Sequence, residues 1–330
     1  VIISQTPLRV SLGGGGTDLP AYCGKTEGRV LTTAIDKYIH VIVQERFDDQ
    51  IHVNYAKRKE AVSTVEEVQH PLAKEAMRMA GMTNGFEVTT LADIPSEGSG
   101  LGSSSTLTVG YLNAFHAFMG RQVDAETLAR QACEIEIERL KKPIGRQDQY
   151  IAAYGGVRYL RFGKGGAVEV ESVDADSKTL RELENGLLLY FSGKTRSGDI
   201  LLAEQAKKMP DNRKSMDAIR ALADKARAAL EKGDADGIGR ALDENWKLKR
   251  ALAEGISDPD IDSFYAKAKR HGAIGGKVTG AGGGGFFVLY APELKRAELR
   301  AALKGHREMP IALEPDGSKI IFNQKRRIWK

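Results

Sequence analysis

Residues 98–105, Gly-Ser-Gly-Leu-Gly-Ser-Ser-Ser, constrain this chain more than any other segment, because they run straight into helix-periodic sequence at 103–118. Gly98, Gly100 and Gly102 let the backbone turn sharply and approach a ligand closely. A helix that starts directly after such a turn offers free N–H groups and the positive end of its dipole, a combination suited to phosphate. The hydroxyls of Ser99, Ser103, Ser104 and Ser105 add donors or a magnesium ligand. The competing reading, a polar loop with a serine N-cap, fits poorly with three glycines and four serines ahead of a long apolar helix. Other phosphate loops fail on spacing. Gly276-Lys277 has His271 where the Walker pattern needs its first glycine, and Val278 follows the lysine. The protein-kinase His-Arg-Asp and Asp-Phe-Gly signatures are absent from the sequence.

The remaining organisation is that of a globular chain. Its 330 residues suggest two domains, and 42% hydrophobic with 28% charged residues suffices for an ordinary core. Strand character appears at 39–44, 50–55, 87–91, 157–162, 167–173, 186–191, 286–290 and 318–322. Helical periodicity appears at 103–118, 125–140, 212–232, 236–253, 258–271 and 292–303. Asp124 reads as the N-cap of 125–140, with Leu128, Ala132 and Ile135 on one face. Mixed rather than alternating elements predict an α+β fold. The domain boundary is placed in the charged stretch 174–183, read as a link between strands, which divides the chain into 1–178 and 179–330.

Cys23 and Cys133 are far apart and outside any Cys-x-x-Cys pair, so no disulfide framework or zinc site is expected. The start of the chain, 1–12, lacks the long apolar core of a signal peptide, and no stretch is long enough to span a membrane, so a cytoplasmic setting is expected. The net charge of +5 suits anionic small molecules better than nucleic acid, for which the interleaved basic and aromatic residues are missing.

Three further constellations carry chemistry. Pro7-Leu8-Arg9 leads through Val10–Leu12 into Gly13-Gly14-Gly15-Gly16-Thr17-Asp18, a strand bearing a cation that runs into a glycine turn ending on a carboxylate suited to sugar hydroxyls. Glu138 ends a helix and Asp148 follows in a turn, and phosphoryl transfer uses one carboxylate on Mg²⁺ and another near the attacking hydroxyl. The glycine-rich run 275–286, with Thr279-Gly280-Ala281-Gly282-Gly283-Gly284-Gly285 at its heart, costs ordering entropy before an apolar strand, which implies close approach to a ligand or another loop, or a tight packing corner.

Taken in order, the Arg9 strand with its Gly-rich Thr-Asp turn, the Gly-Leu-Gly-Ser-Ser-Ser loop, the Glu…Asp pair and the final Gly-Ala-Gly-Gly-Gly-Gly run resemble the GHMP kinase superfamily along nearly the whole chain. Residues 7–9, 14–20, 34–38 and 145–150 resemble its D-glycero-D-manno-heptose 7-phosphate kinase branch. The resemblance implies a two-domain α+β fold, a ribosomal S5 domain 2-like half followed by a ferredoxin-like half. It implies ATP and Mg²⁺ as cofactors, and transfer to the anomeric C1 hydroxyl to give a 1,7-bisphosphate for GDP-heptose and surface polysaccharide. Fucokinase- or galactokinase-like activity and a non-catalytic sugar sensor are the alternatives. The expected partners are a sugar phosphate and ATP, with a homodimer open, and neither nucleic acid nor membrane.

Carried onto this sequence, the resemblance wraps ATP phosphates with Gly98, Ser99, Gly100, Leu101, Gly102, Ser103, Ser104 and Ser105. It puts Mg²⁺ on Ser104 and Glu138, with Glu136 as fallback, makes Asp148 the base and sets Arg9 beside the reacting hydroxyl. Gly15, Gly16, Thr17 and Asp18 would contact the sugar, and Gly282 and Gly283 would border it. A substrate that is itself a phosphate dianion needs a basic pocket of its own. Thr195, Arg196 and Ser197 with Lys194 are expected to form it, and Lys37 is a second candidate.

Overall fold

The computed structural model of the chain describes residues 1–56, 58–94, 98–194 and 198–324. The first half carries β1 (Ile2–Gly13), α1 (Pro20–Cys23), β2 (Gly28–Glu45), β3 (Ile51–Tyr55), β4 (Arg58–Val62), α2 (Pro71–Ala80), β5 (Phe86–Ala92), α3 (Ser103–Phe118), α4 (Ala125–Cys133), α5 (Gln147–Tyr154), β6 (Val157–Phe162) and β7 (Val168–Ser172). The second half carries α6 (Ser177–Gly186), β8 (Leu187–Phe191), α7 (Gly198–Lys207), α8 (Arg213–Glu231), α9 (Asp236–Lys249), α10 (Pro259–Arg270), β9 (Gly275–Val278), β10 (Phe286–Tyr290), α11 (Glu293–Ala302), β11 (Glu308–Met309) and β12 (Lys319–Asn323).

The strands form two sheets. The larger runs β12-β1-β2-β5-β3-β4, with β6 and β7 paired beyond the first part of β2, and the smaller runs β11-β8-β10-β9. Within the large sheet, β3 and β5 pair in parallel. The last strand, β12, returns across the molecule to pair with β1.

Alternation along β1 sets the layers. Leu8, Val10 and Leu12 are buried with Ala223 and Ala226 of α8 and Ile238 and Leu242 of α9, so Arg9 and Ser11 turn to the other face. There α3 lies against the sheet. Its Gly110 permits the approach, since a Cβ would meet Thr6 Oγ1 at 3.1 Å and Val41 Cγ2 at 3.3 Å. A second apolar layer joins Val41, Val43, Phe86 and Val88 to Phe115 of α3 and Leu128 of α4.

Several expectations need correction. The stretch 174–183 is not a link between strands: Asp176 caps α6 by accepting from Thr179 N at 2.6 Å. The turn expected at Asp148 is the first turn of α5. The helix 125–140 is capped by Asp124 as expected, but it leaves the α register at Cys133 for a π-helical segment, Glu134–Arg139. Cys23 and Cys133 are free and buried. Among the described residues no helix is long and apolar enough to cross a membrane.

Candidate active site

Arg9 and Asp148 form the centre of the site. Arg9 donates from Nε and Nη2 to the two Asp148 oxygens, each at 2.7 Å, and from Nη1 to the Gly100 carbonyl at 2.7 Å. A paired, bidentate contact of this kind fixes both side chains in one plane. Arg9 is 4% exposed, whereas the Asp148 side chain keeps 23% of its surface, so the carboxylate is the reachable partner. The backbone joins in, because Arg9 N donates to Leu101 O at 3.1 Å.

The serine loop lies directly over this pair. Gly98, Gly100 and Gly102 all have positive φ, at 70°, 73° and 81°. At Gly102 a Cβ would crowd Arg9 Cγ and an Asp148 oxygen, each at 3.3 Å. Ser99 Oγ and Ser103 Oγ share a 2.8 Å hydrogen bond that closes the turn, and among the described residues no side chain caps α3, which leaves the first-turn N–H groups for a ligand. Residues 95–97, the approach to this loop, lie outside the described residues.

The carboxylate beside Ser104 is Glu136, not Glu138. Ser104 Oγ donates to Glu136 Oε1 at 2.6 Å, and Gln149 Nε2 donates to Glu136 Oε2 at 2.7 Å. Glu136 is fully buried, while Glu138 lies exposed on the outer side. The apolar stripe Leu128–Ala132, continued at four-residue spacing, points at Glu136, and this signal in the sequence favoured the fallback. Lys142, which sequence reasoning missed, donates to Ser104 Oγ at 2.5 Å and to Glu136 Oε1 at 3.2 Å. These two oxygens therefore already attract a cation. Among the described residues no three His, Cys, Asp or Glu side chains converge to cage a metal. A hydroxyl and one carboxylate nevertheless suit Mg²⁺, which keeps water and phosphate as its other ligands.

Asp18 anchors the start of α5. Its carboxylate accepts from Gln147 N at 3.1 Å, Gln147 Nε2 at 3.2 Å and Gly16 N at 3.1 Å. Burial, and secondly the charge of Asp148, pushes its carboxyl above the usual range. Gly145 is required beneath it, since a Cβ there would fall 1.9 Å from Asp18 Oδ2. Gly15 and Gly16 are part-exposed at the rim. Thr17 is a correction: it is fully buried, and its hydroxyl donates to the carbonyls of Gly14 at 2.8 Å and Arg29 at 2.9 Å. Its hydroxyl is engaged within the turn. Ser11, one strand period beyond Arg9, was missed. Its Oγ is buried without a hydrogen-bond partner among the described residues, and a Cβ on Gly15 would fall 3.0 Å from it.

The C-terminal glycine run packs on the serine loop. Phe286 N and Thr279 Oγ1 donate to Ser99 O at 3.0 and 3.3 Å, and a Cβ on Gly100 would meet Thr279 O at 2.6 Å. Gly282 and Gly283 face elsewhere: a Cβ on Gly282 would press on Ile256, and Gly283 N donates to Ile256 O at 2.9 Å. Lys37 is held by the carboxylate of Asp36 at 2.9 Å. Lys194 is neutralised by Asp258 at 2.9 Å and Asp260 at 2.7 Å, which removes it as a free phosphate ligand. Thr195, Arg196 and Ser197 lie outside the described residues.

A buried guanidinium paired to a reachable carboxylate, set under a glycine–serine helix start, can polarise a hydroxyl next to bound phosphate. Comparison with known proteins agrees. Residues 59–156 match the GHMP kinases N terminal domain and residues 226–307 the GHMP kinases C terminal domain. The chain is 32% identical over 319 residues to D-glycero-alpha-D-manno-heptose 7-phosphate kinase of Campylobacter jejuni, covering 92% of this chain and 93% of that one. It is 28% identical to L-fucokinase/L-fucose-1-P guanylyltransferase of Bacteroides fragilis, covering 90% of this chain and 35% of that protein. The crystal structure of a D-glycero-D-manno-heptose 1-phosphate kinase from Bacteroides thetaiotaomicron superimposes with a TM-score of 0.82 at 28% identity, over 98% of this chain and 100% of that one. Both halves of the molecule and nearly its full length thus place the chain in the GHMP kinase family, two-domain phosphotransferases that use an alcohol group as acceptor.

Proposed function

We propose that the chain transfers the terminal phosphoryl group of ATP to the anomeric C1 hydroxyl of D-glycero-D-manno-heptose 7-phosphate. The product would be the 1,7-bisphosphate, made in the cytoplasm for GDP-heptose and surface polysaccharide. The Arg9–Asp148 pair beneath the serine loop is the observation that carries the reaction type. The sugar rests on similarity to the Campylobacter jejuni protein along nearly the whole chain.

In this reading Asp148 accepts the proton of the C1 hydroxyl as the oxygen attacks phosphorus. Arg9 holds the carboxylate in plane and offsets charge as it develops. The N–H groups of Gly98–Ser105 receive the ATP phosphates, and Ser11, Gly15, Gly16 and Asp18 frame the sugar. Ser104 and Glu136 would hold Mg²⁺, with Gln149 orienting the carboxylate and Lys142 releasing it. The ion, when bound, neutralises phosphate charge. Arg196 with Thr195 and Ser197 is assigned to the 7-phosphate on chemistry alone.

An ADP-release assay with heptose 7-phosphate, galactose, fucose and mevalonate tests the substrate, with Asp148→Asn as the control. Turnover is expected with heptose 7-phosphate, and loss of it in the variant with nucleotide binding retained. Preference for an unphosphorylated sugar would overturn the substrate, and preference for fucose in particular would favour the reading suggested by the Bacteroides fragilis relative. Near-normal kcat in Asp148→Asn would remove Asp148 as base.

A further inference from the structure

Two lysines lie inside the protein beside Arg9, and the chemistry above does not use them. Lys249 ends α9 and is 8% exposed, and Lys277, within β9, is 3% exposed. Lys249 donates to the carbonyl of Gly280, and Lys277 donates to Asn245 Oδ1 at 3.3 Å. Among the described residues neither has a carboxylate partner. Asn245 and Lys249 stand one turn apart on α9, which carries both to β9. The side-chain amide nitrogen of Asn245, itself 1% exposed, has no hydrogen-bond partner among the described residues. The link to the catalytic pair is continuous. A Cβ on Gly280 would fall 2.6 Å from Gly100 Cα, and the Gly100 carbonyl accepts from Arg9 Nη1 at 2.7 Å.

Ammonium groups buried without a counter-charge are costly, and proteins retain them where an anion completes the set. Building on the phosphoryl-transfer reading, we propose that Lys249, backed by Lys277, is a positioning residue: its amine holds the Gly280 carbonyl, and with it the seam between the two glycine loops, while the counter-charge that no described residue gives the two lysines is supplied by the phosphate of a bound substrate.

The titration of the pair agrees with this geometry. Burial, with the charge of Arg9 adding, pushes Lys249 down to about 7. Burial, then repulsion from Lys249 and Arg9, pushes Lys277 well below the usual lysine range. The charged groups facing Lys249 are Arg9 from β1 and Lys277 from β9. On α9 itself, Asp243 is taken by Lys247 and Lys269, and Glu244 by Lys225 of α8. Tyr265 of α10 also donates to Asp243, and Arg250, just past α9, pairs with Asp262. A phosphate near the lysines raises their affinity for protons. Substrate binding then takes up protons at pH 8, where the free protein holds Lys249 largely neutral. At pH 6 Lys249 is already charged and contributes no uptake.

The phosphate has two sources, the nucleotide and the sugar, and calorimetry separates them. Adenosine 5′-(β,γ-imido)triphosphate and heptose 7-phosphate are titrated separately into the whole protein in Tris and in Hepes, at pH 6 and pH 8. The expected result is proton uptake at pH 8 in at least one arm, reduced in Lys249→Met and in Lys277→Met and abolished when both are replaced. The arm that loses it identifies the phosphate. Lys249→Met should also lower kcat about tenfold to a hundredfold, as lost charge in a water-excluded site does, with KM for ATP shifting far less. At pH 6, where Lys249 carries its charge, Lys249→Met should melt at or above the wild-type temperature, because a buried ammonium without a carboxylate partner among the described residues has been removed. Wild-type protein without uptake in either arm, Lys249→Met with unchanged kcat, or a loss of kcat that merely tracks a lower melting temperature would each overturn the proposal. If the wild type phosphorylates none of the sugars, the substrate reading falls separately, and proton uptake on nucleotide binding still decides this inference.

Discussion

Glu136 and Glu138 differ by two residues in the π-helical segment, close to half a turn and the difference between facing Ser104 and facing solvent. The consequence is measurable. Glu136→Gln should weaken use of Mg-ATP by at least about tenfold, the scale of a disturbed ligand or its support. Glu138→Gln, at an exposed position, should stay within about twofold of wild type. Steady-state kinetics against magnesium concentration compares the two, and equal losses would mean that the carboxylate beside Ser104 does not bind the ion. Ser11 is a similar case. Its hydroxyl carries no motif, and only the face it shares with Arg9, together with its lack of a hydrogen-bond partner among the described residues, sets it apart.

At the scale of elements, the two glycine runs are one structure. The serine loop and the 279–285 turn press backbone on backbone at Gly100, Thr279 and Gly280. Gly100→Ala places a methyl at 2.6 Å from Thr279 O at a φ of +73°, so it should destabilise the fold by about 1–3 kcal/mol and open the seam. Denaturant unfolding reads the first effect, and a fall in kcat larger than the change in folded fraction reads the second. The glycine runs themselves were legible, and so was the fact that each approaches something closely. That they approach each other was not, because 180 residues of chain separate Ser99 from Thr279 and nothing local reports the contact. Similarly, the turn expected at Asp148 is a helix whose opening is pinned by Asp18, 129 residues away along the chain.

At the scale of the molecule, pH should act on stability through Lys249. Its amine titrates near 10.5 in the unfolded chain and at about 7 when folded. Between these values the unfolded chain binds more protons, so this group makes stability rise with pH across that window, and below about 7 its full penalty stands. Unfolding of Lys249→Met and wild type from pH 6 to pH 9 should therefore show the variant's advantage shrinking as pH rises. An advantage that grows with pH would contradict the burial of the charge. The long-range return of β12 to β1 belongs to this scale too: a division at 178/179 leaves the strand Lys319–Asn323 in the sheet of the first half. From its motifs alone the chain determined a phosphate-binding helix start, a cation on a strand before a glycine–aspartate turn, and a carboxylate at 148, because such features depend on neighbouring residues. Only the tertiary structure decided that Glu136 is the inward carboxylate, that Thr17 and Lys194 are spent on other partners, and that two lysines lie buried behind Arg9 with no carboxylate partner among the described residues. Each of these is set by burial and by partners far along the chain.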